Sequence, residues 1–222
     1  MKVEKLISKN QPRDWFEIIT EECSREYPIN LVDIDSQEHV IDLGCNVGGF
    51  SQAFNYRFHN ILAIEASSYN IEEYKKRHTH TVLHRAAYSK DGEILKLKKY
   101  MGDGEDDTNS GNFSITGFVY ENNKHGFRGD EYEEVETISL ETILNMVGGN
   151  IGLLKIDIEG AEYDTLYEKD LSKINYITGE FHNWLGKEKQ NKLFEWIEKT
   201  HQQIYSVGDG VGSHFIKMWK RK

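Results

Sequence analysis

Lys155, Asp157 and Glu159 take alternate positions in the run LLKIDIEGAEYDTL, residues 153–166. With the period-two geometry of a β-strand, these three charges share one face while Leu154, Ile156 and Ile158 share the other. An apolar strand that carries both signs of charge on one face holds either an ion-pair cluster or a site. A second set follows in GEFHNW, where Glu180 and His182 close another apolar run. Carboxylates beside an imidazole do two kinds of chemistry. They move a proton near neutral pH, or they hold a divalent cation such as Mg²⁺. The spacing leaves both open for Asp157, Glu180 and His182.

A third set lies in DLGCNVGGFS, with Asp42, Gly44, Asn46, Gly48 and Gly49 between a strand-like and a helix-like segment. Glycines let the main chain turn sharply and come close to a ligand. The spacing is G-x-x-x-G, not the G-x-G-x-x-G of a dinucleotide turn, which counts against a nicotinamide-dependent oxidoreductase. Asp42, two residues before the first glycine, suits a cationic ligand group such as the amine of S-adenosylmethionine. Glu65, in AIEASS, stands 23 residues beyond Asp42, where a carboxylate can accept both hydroxyls of an adenosine ribose.

These groups need a scaffold that brings strand ends together, and the chain supplies one. Residues 14–27 place Trp15, Ile18, Ile19 and Cys23 at helical spacing, with Asp14 as N-cap. Then come strand 39–44, a helix after the glycine turn, strand 60–66, a serine-capped helix from 67, and a strand across HTVLHRAA. DGEILKLKKY alternates as an added strand, and the glycine- and acid-rich stretch 101–131 has no sustained period, so it is expected to be an insertion or lid. Strands are expected around VETIS, IGLLKIDI and INYITGEF, with helices from Leu140, from Ala161 and across 187–201, and a closing hairpin around Gly-Asp-Gly. Strands alternating with helices predict an α/β fold: one domain over 1–222, with a mostly parallel sheet, helices on both faces and a C-terminal antiparallel hairpin. Residues 1–38 form its helical cover. Such a sheet binds ligands at the carboxyl ends of its strands.

The totals narrow the function classes. The chain has 222 residues, enough for one sizeable core. A formal charge of −10 excludes a binder that relies on phosphate neutralisation, so no nucleic-acid partner is expected. No apolar run spans a bilayer and the N-terminus lacks a signal-type apolar core, so the expected address is cytoplasmic. Two cysteines, Cys23 and Cys45, make neither a disulfide framework nor a zinc site.

The segments VIDLGCNVGGFS, AIEASSYN, AAYSKDGE, LLKIDIEGAEYDTL and GEFH, in this order over residues 39–183, resemble the FkbM-type S-adenosylmethionine-dependent methyltransferases. KIDIEGAE is the most specific part; the glycine turn is shared by class I methyltransferases generally. The resemblance implies a seven-stranded Rossmann-like sheet, S-adenosylmethionine as donor, and O-methylation of a hydroxyl on a sugar, glycan or related natural product. On this chain it implies that Gly44, Asn46 and Gly48 line the methionine end, that Glu65 holds the ribose, and that Ala86 and Ala87 lie near the adenine. Cys45 stands where the family often has alanine.

Methyl transfer from a sulfonium to an alcohol then needs alignment of the acceptor and a destination for its proton. His182 is the expected general base, because its ordinary pKa lies near neutrality, and Asp157 is expected to orient it or to bind donor or acceptor. Coordination of a cation by Asp157, Glu180 and His182 is the alternative for the same step. Asn109, Ser114, Tyr120, His125 and Arg128 of the insertion suit a polyhydroxylated acceptor. Binding of the donor without turnover is the remaining alternative.

Overall fold

The computed structural model describes residues 15–99, 113–114, 132–182, 186–208 and 214–222. Seven strands form the main sheet: β1 (His39–Leu43), β2 (Asn60–Glu65), β3 (Thr81–His84), β8 (Ile151–Ile156), β9 (Ile174–His182), β10 (His201–Val207) and β11 (His214–Arg221). Their order is β10-β11-β9-β8-β1-β2-β3. β1, β2, β3, β8 and β9 pair in parallel, and β11 runs antiparallel to both β9 and β10. The α/β fold, the mostly parallel seven-stranded sheet and the C-terminal antiparallel hairpin are as the sequence predicts.

Successive strand residues feed two cores, as period two requires. Val40, Ile61, Leu153 and Tyr176 pack with Phe50, Phe54 and Tyr27 under α1 (Trp15–Glu26) and α2 (Gly49–Phe54). Ile41, Ile64, Leu154 and Ile177 pack on the opposite face with Leu140, Ile143, Leu166, Leu193 and Ile197 of α4 (Leu140–Val147), α5 (Glu162–Leu166) and α6 (Lys187–Ile197). β1 and β8 are central and buried on both sides, so both read as unbroken apolar runs apart from one charge each, Asp42 and Lys155. The Ser67 and Ser139 side chains cap α3 (Ser68–Arg77) and α4 by accepting from the amides of Asn70 and Thr142.

Two expectations need correction. The segment 80–87 is not one strand: it breaks at Arg85, and β4 (Ala86–Tyr88) joins a second sheet with β5 (Ile94–Lys99), β6 (Phe113–Ser114) and β7 (Tyr132–Ser139), ordered β4-β7-β5-β6. Strand β8 ends at Ile156, not at Ile158, so Asp157, Glu159 and Lys155 do not form one strand face. Glu159 instead adopts a positive φ of 52°, in a turn before α5. The expected insertion, with Asn109, Tyr120, His125 and Arg128, lies outside the described residues apart from β6, as do Asp14 and Trp184. Among the described residues, no helix is long and apolar enough to cross a membrane.

At the hairpin, β10 is the outermost strand, and its pairing with β11 slips: Gln203 faces Trp219 while Tyr205 faces Met218, which leaves Ile204 as an extra residue.

Candidate active site

A cleft of about 630 Å³, part of it open to solvent, lies at the carboxyl ends of β1, β2 and β8. Gly44, Asn46, Glu65, Ala86, Ala87, Asp157 and Glu159 line it. Arg85 and Leu97 also line it, and sequence reasoning passed over both.

The β1–α2 turn is built to approach its neighbours closely. Gly44 has φ +74°, and a Cβ there would stand 1.7 Å from the carbonyl oxygen of Asp157, so only glycine fits. Its amide bonds to the carbonyl of Ile64, and the amide of Asp157 bonds to the carbonyl of Leu43, at 2.9 and 3.0 Å. The donor turn and the turn after β8 are thus joined through main chain. Gly48 has φ +98° and faces the His78 ring, 2.3 Å from where its Cβ would sit; it packs the turn and does not line the cleft.

Glu65 is buried, at 7% exposure, and main-chain donors hold it in place: the amides of Asn46 and Ser67 each reach it at 2.9 Å, one on each oxygen. Burial raises its pKa and these hydrogen bonds oppose the rise. Asn70 Nδ2 adds a longer contact to Oε1 at 3.4 Å, so Oε2, with one donor, retains the clearer capacity toward a ligand hydroxyl.

Asp42 has a different role from the expected one. The parallel register sets Asp42 beside Lys155, and Lys155 Nζ lies 3.1 Å from Asp42 Oδ1 with both side chains fully buried. The lysine also donates a hydrogen bond to the Gly44 carbonyl, 2.7 Å away. Asp42 does not reach the cleft. Its charge is spent on Lys155, which in turn braces the glycine turn. Burial works against the lysine's charge, yet Asp42 and Asp157 hold its pKa well above the ordinary value.

Behind Asp157 the ends of β8 and β9 and the turn before α5 bring four carboxylates around one imidazole. His182, 3% exposed, has Nδ1 2.9 Å from Glu162 Oε1, and Nε2 3.4 Å from both Glu159 Oε2 and Glu180 Oε1. Asp157 Oδ2 takes a 3.4 Å contact from the Tyr27 hydroxyl and lies 3.9 Å from Lys155 Nζ. One ligand atom each from Asp157, Glu180 and His182 lie within 4.8 Å of one another. Adjacent strands therefore do bring these three together. Glu159 was read from the sequence as one of three alternating charges on a strand face, whereas Glu162 and Tyr27 were not read as site partners.

Crowding of like charge shifts the cluster. Burial, then the charge of Glu180, raises Asp157 to about 7, with Lys155 and His182 opposing. Burial, opposed by His182, raises Glu159 to about 8. For His182, burial opposes protonation but Glu162, Glu180 and Glu159 lift its pKa well above the ordinary value. The neutral-range pKa that motivated His182 as base does not describe the imidazole in this setting.

No curated protein matches the chain significantly. Among solved structures it resembles fibrillarin in its complex with Nop5p (TM-score 0.50, 10% identity, 85% of this chain and 75% of that one). It also resembles a putative methyltransferase from Streptococcus mutans in complex with SAH (TM-score 0.46, 7% identity, 96% and 100% of the two chains). At these identities the likeness concerns the fold alone. The profile described as Methyltransferase FkbM domain matches residues 42–207, a span that runs from the buried aspartate of β1 through the donor turn, the acid cluster and β10. With most of its length inside that match, the chain belongs to the FkbM family and is an S-adenosylmethionine-dependent methyltransferase.

Proposed function

We propose that the protein is an O-methyltransferase acting on a hydroxyl of a sugar, glycan or related natural product. One observation carries this reading: a single cleft is lined both by a ribose-type carboxylate, Glu65, and by paired carboxylates, Asp157 and Glu159. Gly44, Asn46, Ala86 and Ala87 suit the remainder of the donor, since the glycine turn leaves main chain exposed to it and the alanines leave room. Bound there, S-adenosylmethionine supplies an already activated methyl group.

The chain's own residues then have two tasks. They hold an acceptor hydroxyl in line at the Asp157 side of the cleft, and they take its proton as the new O–C bond forms. Asp157 and Glu159 reach the cleft and are the proposed proton acceptors. His182 lies behind them, gripped by Glu162, and acts as the positioning residue of the pair. The hydroxyl acceptor is supported by the family and by carboxyl groups in the cleft that can take the proton a weakly nucleophilic alcohol must lose.

Calorimetric titration with S-adenosylmethionine and its demethylated product, on wild type and Glu65→Ala, tests the donor site. Saturable binding weakened by the substitution supports it; no binding by a folded sample overturns it. Screening hydroxyl compounds by the gain of one methyl group then tests the acceptor. Asp157→Asn should lower turnover by about 10²- to 10⁴-fold while donor affinity changes by only a few-fold.

A further inference from the structure

We infer that Asp157, Glu180 and His182 form a binding site for one divalent cation of the Mg²⁺ or Mn²⁺ type. The inference deepens the proposed O-methyl transfer and rests on that reading for its role, though not for its geometry.

The first ground is spacing. The three ligand atoms come from the end of β8 and from β9 and lie within 4.8 Å of one another. Ligands of an octahedral ion that binds oxygen at ~2.1 Å are ~3.0 Å apart when adjacent and ~4.2 Å apart when opposite, so side-chain shifts on the order of an ångström close the set. Two carboxylates and one imidazole suit a hard to borderline cation, and three protein ligands leave positions for water or a hydroxyl.

The second ground is the support behind the imidazole. Glu162, 1% exposed, holds His182 Nδ1 at 2.9 Å, which turns Nε2 toward Glu180 and Glu159. A carboxylate on one ring nitrogen that fixes the other for a metal is a recurring arrangement around bound ions. The Glu162 carboxylate also receives the Gly160 amide at 3.0 Å through the same oxygen. Its other oxygen, Oε2, is buried in the cluster without a hydrogen-bond partner among the described residues.

The third ground is charge. Among the described residues, the carboxyl groups of Asp157, Glu159, Glu162 and Glu180 gather around His182, with Lys155 Nζ 3.9 Å from Asp157. Lys155 is already paired with Asp42. A buried like-charge cluster is costly unless a cation joins it. A divalent ion is such a cation.

Such an ion takes the acceptor hydroxyl as a further ligand and polarises its O–H bond. The proton passes to Glu159, which lines the same cleft, while the O–C bond forms and the donor's S–C bond breaks. With the ion bound, Asp157 and His182 serve as its ligands, and of the two proposed proton acceptors only Glu159 takes the proton.

The test is a Mn²⁺ titration of the full chain, stripped of metal and free of donor, followed by the loss of the free Mn²⁺ paramagnetic resonance signal. One saturable site is expected, weakened at least about tenfold by Asp157→Asn and by Glu180→Gln. Glu188→Gln, a surface acid paired with Lys192, should leave the affinity unchanged. Thermal unfolding covers the case of a poorly folded variant. Excess Mn²⁺ should raise the melting temperature of wild type but not of Glu180→Gln, and the metal-free variant should melt no lower than metal-free wild type. No saturable site, or an affinity indifferent to both substitutions, overturns the inference. A metal-free Glu180→Gln that melts lower, with no Mn²⁺ shift in wild type, marks the cluster as structural and overturns it as well. Donor binding is measured separately, so a failed donor site with Mn²⁺ binding intact refutes only the role in transfer.

Discussion

The donor turn and the acid cluster meet at the end of β8, yet they are stabilised in opposite ways. Around Glu65 nearly everything is main chain: two amides hold its oxygens, and carbonyls of neighbouring strands hold Gly44 and Lys155. Around His182 nearly everything is side chain: three carboxylates face the two nitrogens of one imidazole. A cradle satisfied by main-chain bonds is rigid before any ligand arrives. The comparison separates a region whose shape is fixed by the fold from a region whose state depends on what enters it.

Gly44→Ala should break that division most severely. Its Cβ would collide with the Asp157 carbonyl, main chain against main chain, at a positive φ. A loss of more than about 4 kcal/mol is expected, seen as an unfolded or insoluble chain in denaturant titration. The neighbouring buried Cys45→Ala should cost only about 1 kcal/mol. A Gly44→Ala protein of near-normal stability would show that the two turns are not locked together.

Next in size is Glu65. Glu65→Ala should weaken S-adenosylmethionine by ~10- to 150-fold, the equivalent of charged hydrogen bonds worth about 1.5–3 kcal/mol. Glu65→Gln should fall between, because one of its two amide-bound oxygens becomes a donor. Equal binding by all three would remove Glu65 from the donor site.

A smaller effect sharpens the contrast from the donor side. Burial, followed by the charge of His80 and with Arg77 adding to it, lowers the pKa of His78 to about 4, so the folded chain holds this ring neutral against the glycine turn. The stability this contributes is full above the unfolded value of about 6.5 and is lost as pH falls toward 4. His78 is partly exposed, so the loss is reduced to about 1 kcal/mol. Comparing wild type with His78→Gln across that range isolates it; identical pH profiles would refute it.

The smallest expected change has the opposite sign. Removing a charge from the crowded cluster with Glu180→Gln should raise the stability of the metal-free chain by about 0.5–1 kcal/mol, read from thermal unfolding. A loss instead would make Glu180 a net attractive partner of His182.

The donor side was legible in the sequence because its signals are local. A glycine spacing after one strand and an acid at the end of the next mark the turn and Glu65, and strand–helix alternation marks the sheet. Asp42 was misread because its partner, Lys155, lies 113 residues away and meets it only through the β1–β8 register. The cluster was half legible. Asp157 and His182 were visible at strand ends, whereas Glu159 and Glu162 arrive through a left-handed turn that the alternation of charges disguised as strand. The break at Arg85 was hidden because HTVLHRAA is equally good as one strand or two, and only the pairing of β4 with β7 decides it.

The slipped pairing at Ile204 bears on a hazard unrelated to catalysis. An outermost strand offers a row of free main-chain groups on which a strand of another molecule can build. The extra residue on β10 kinks the strand and interrupts the even rhythm of its donors and acceptors. A would-be partner finds half a template on each side of the kink and no continuous one, so the same irregularity that looks like a flaw in the sheet protects the folded protein against growing into fibrils.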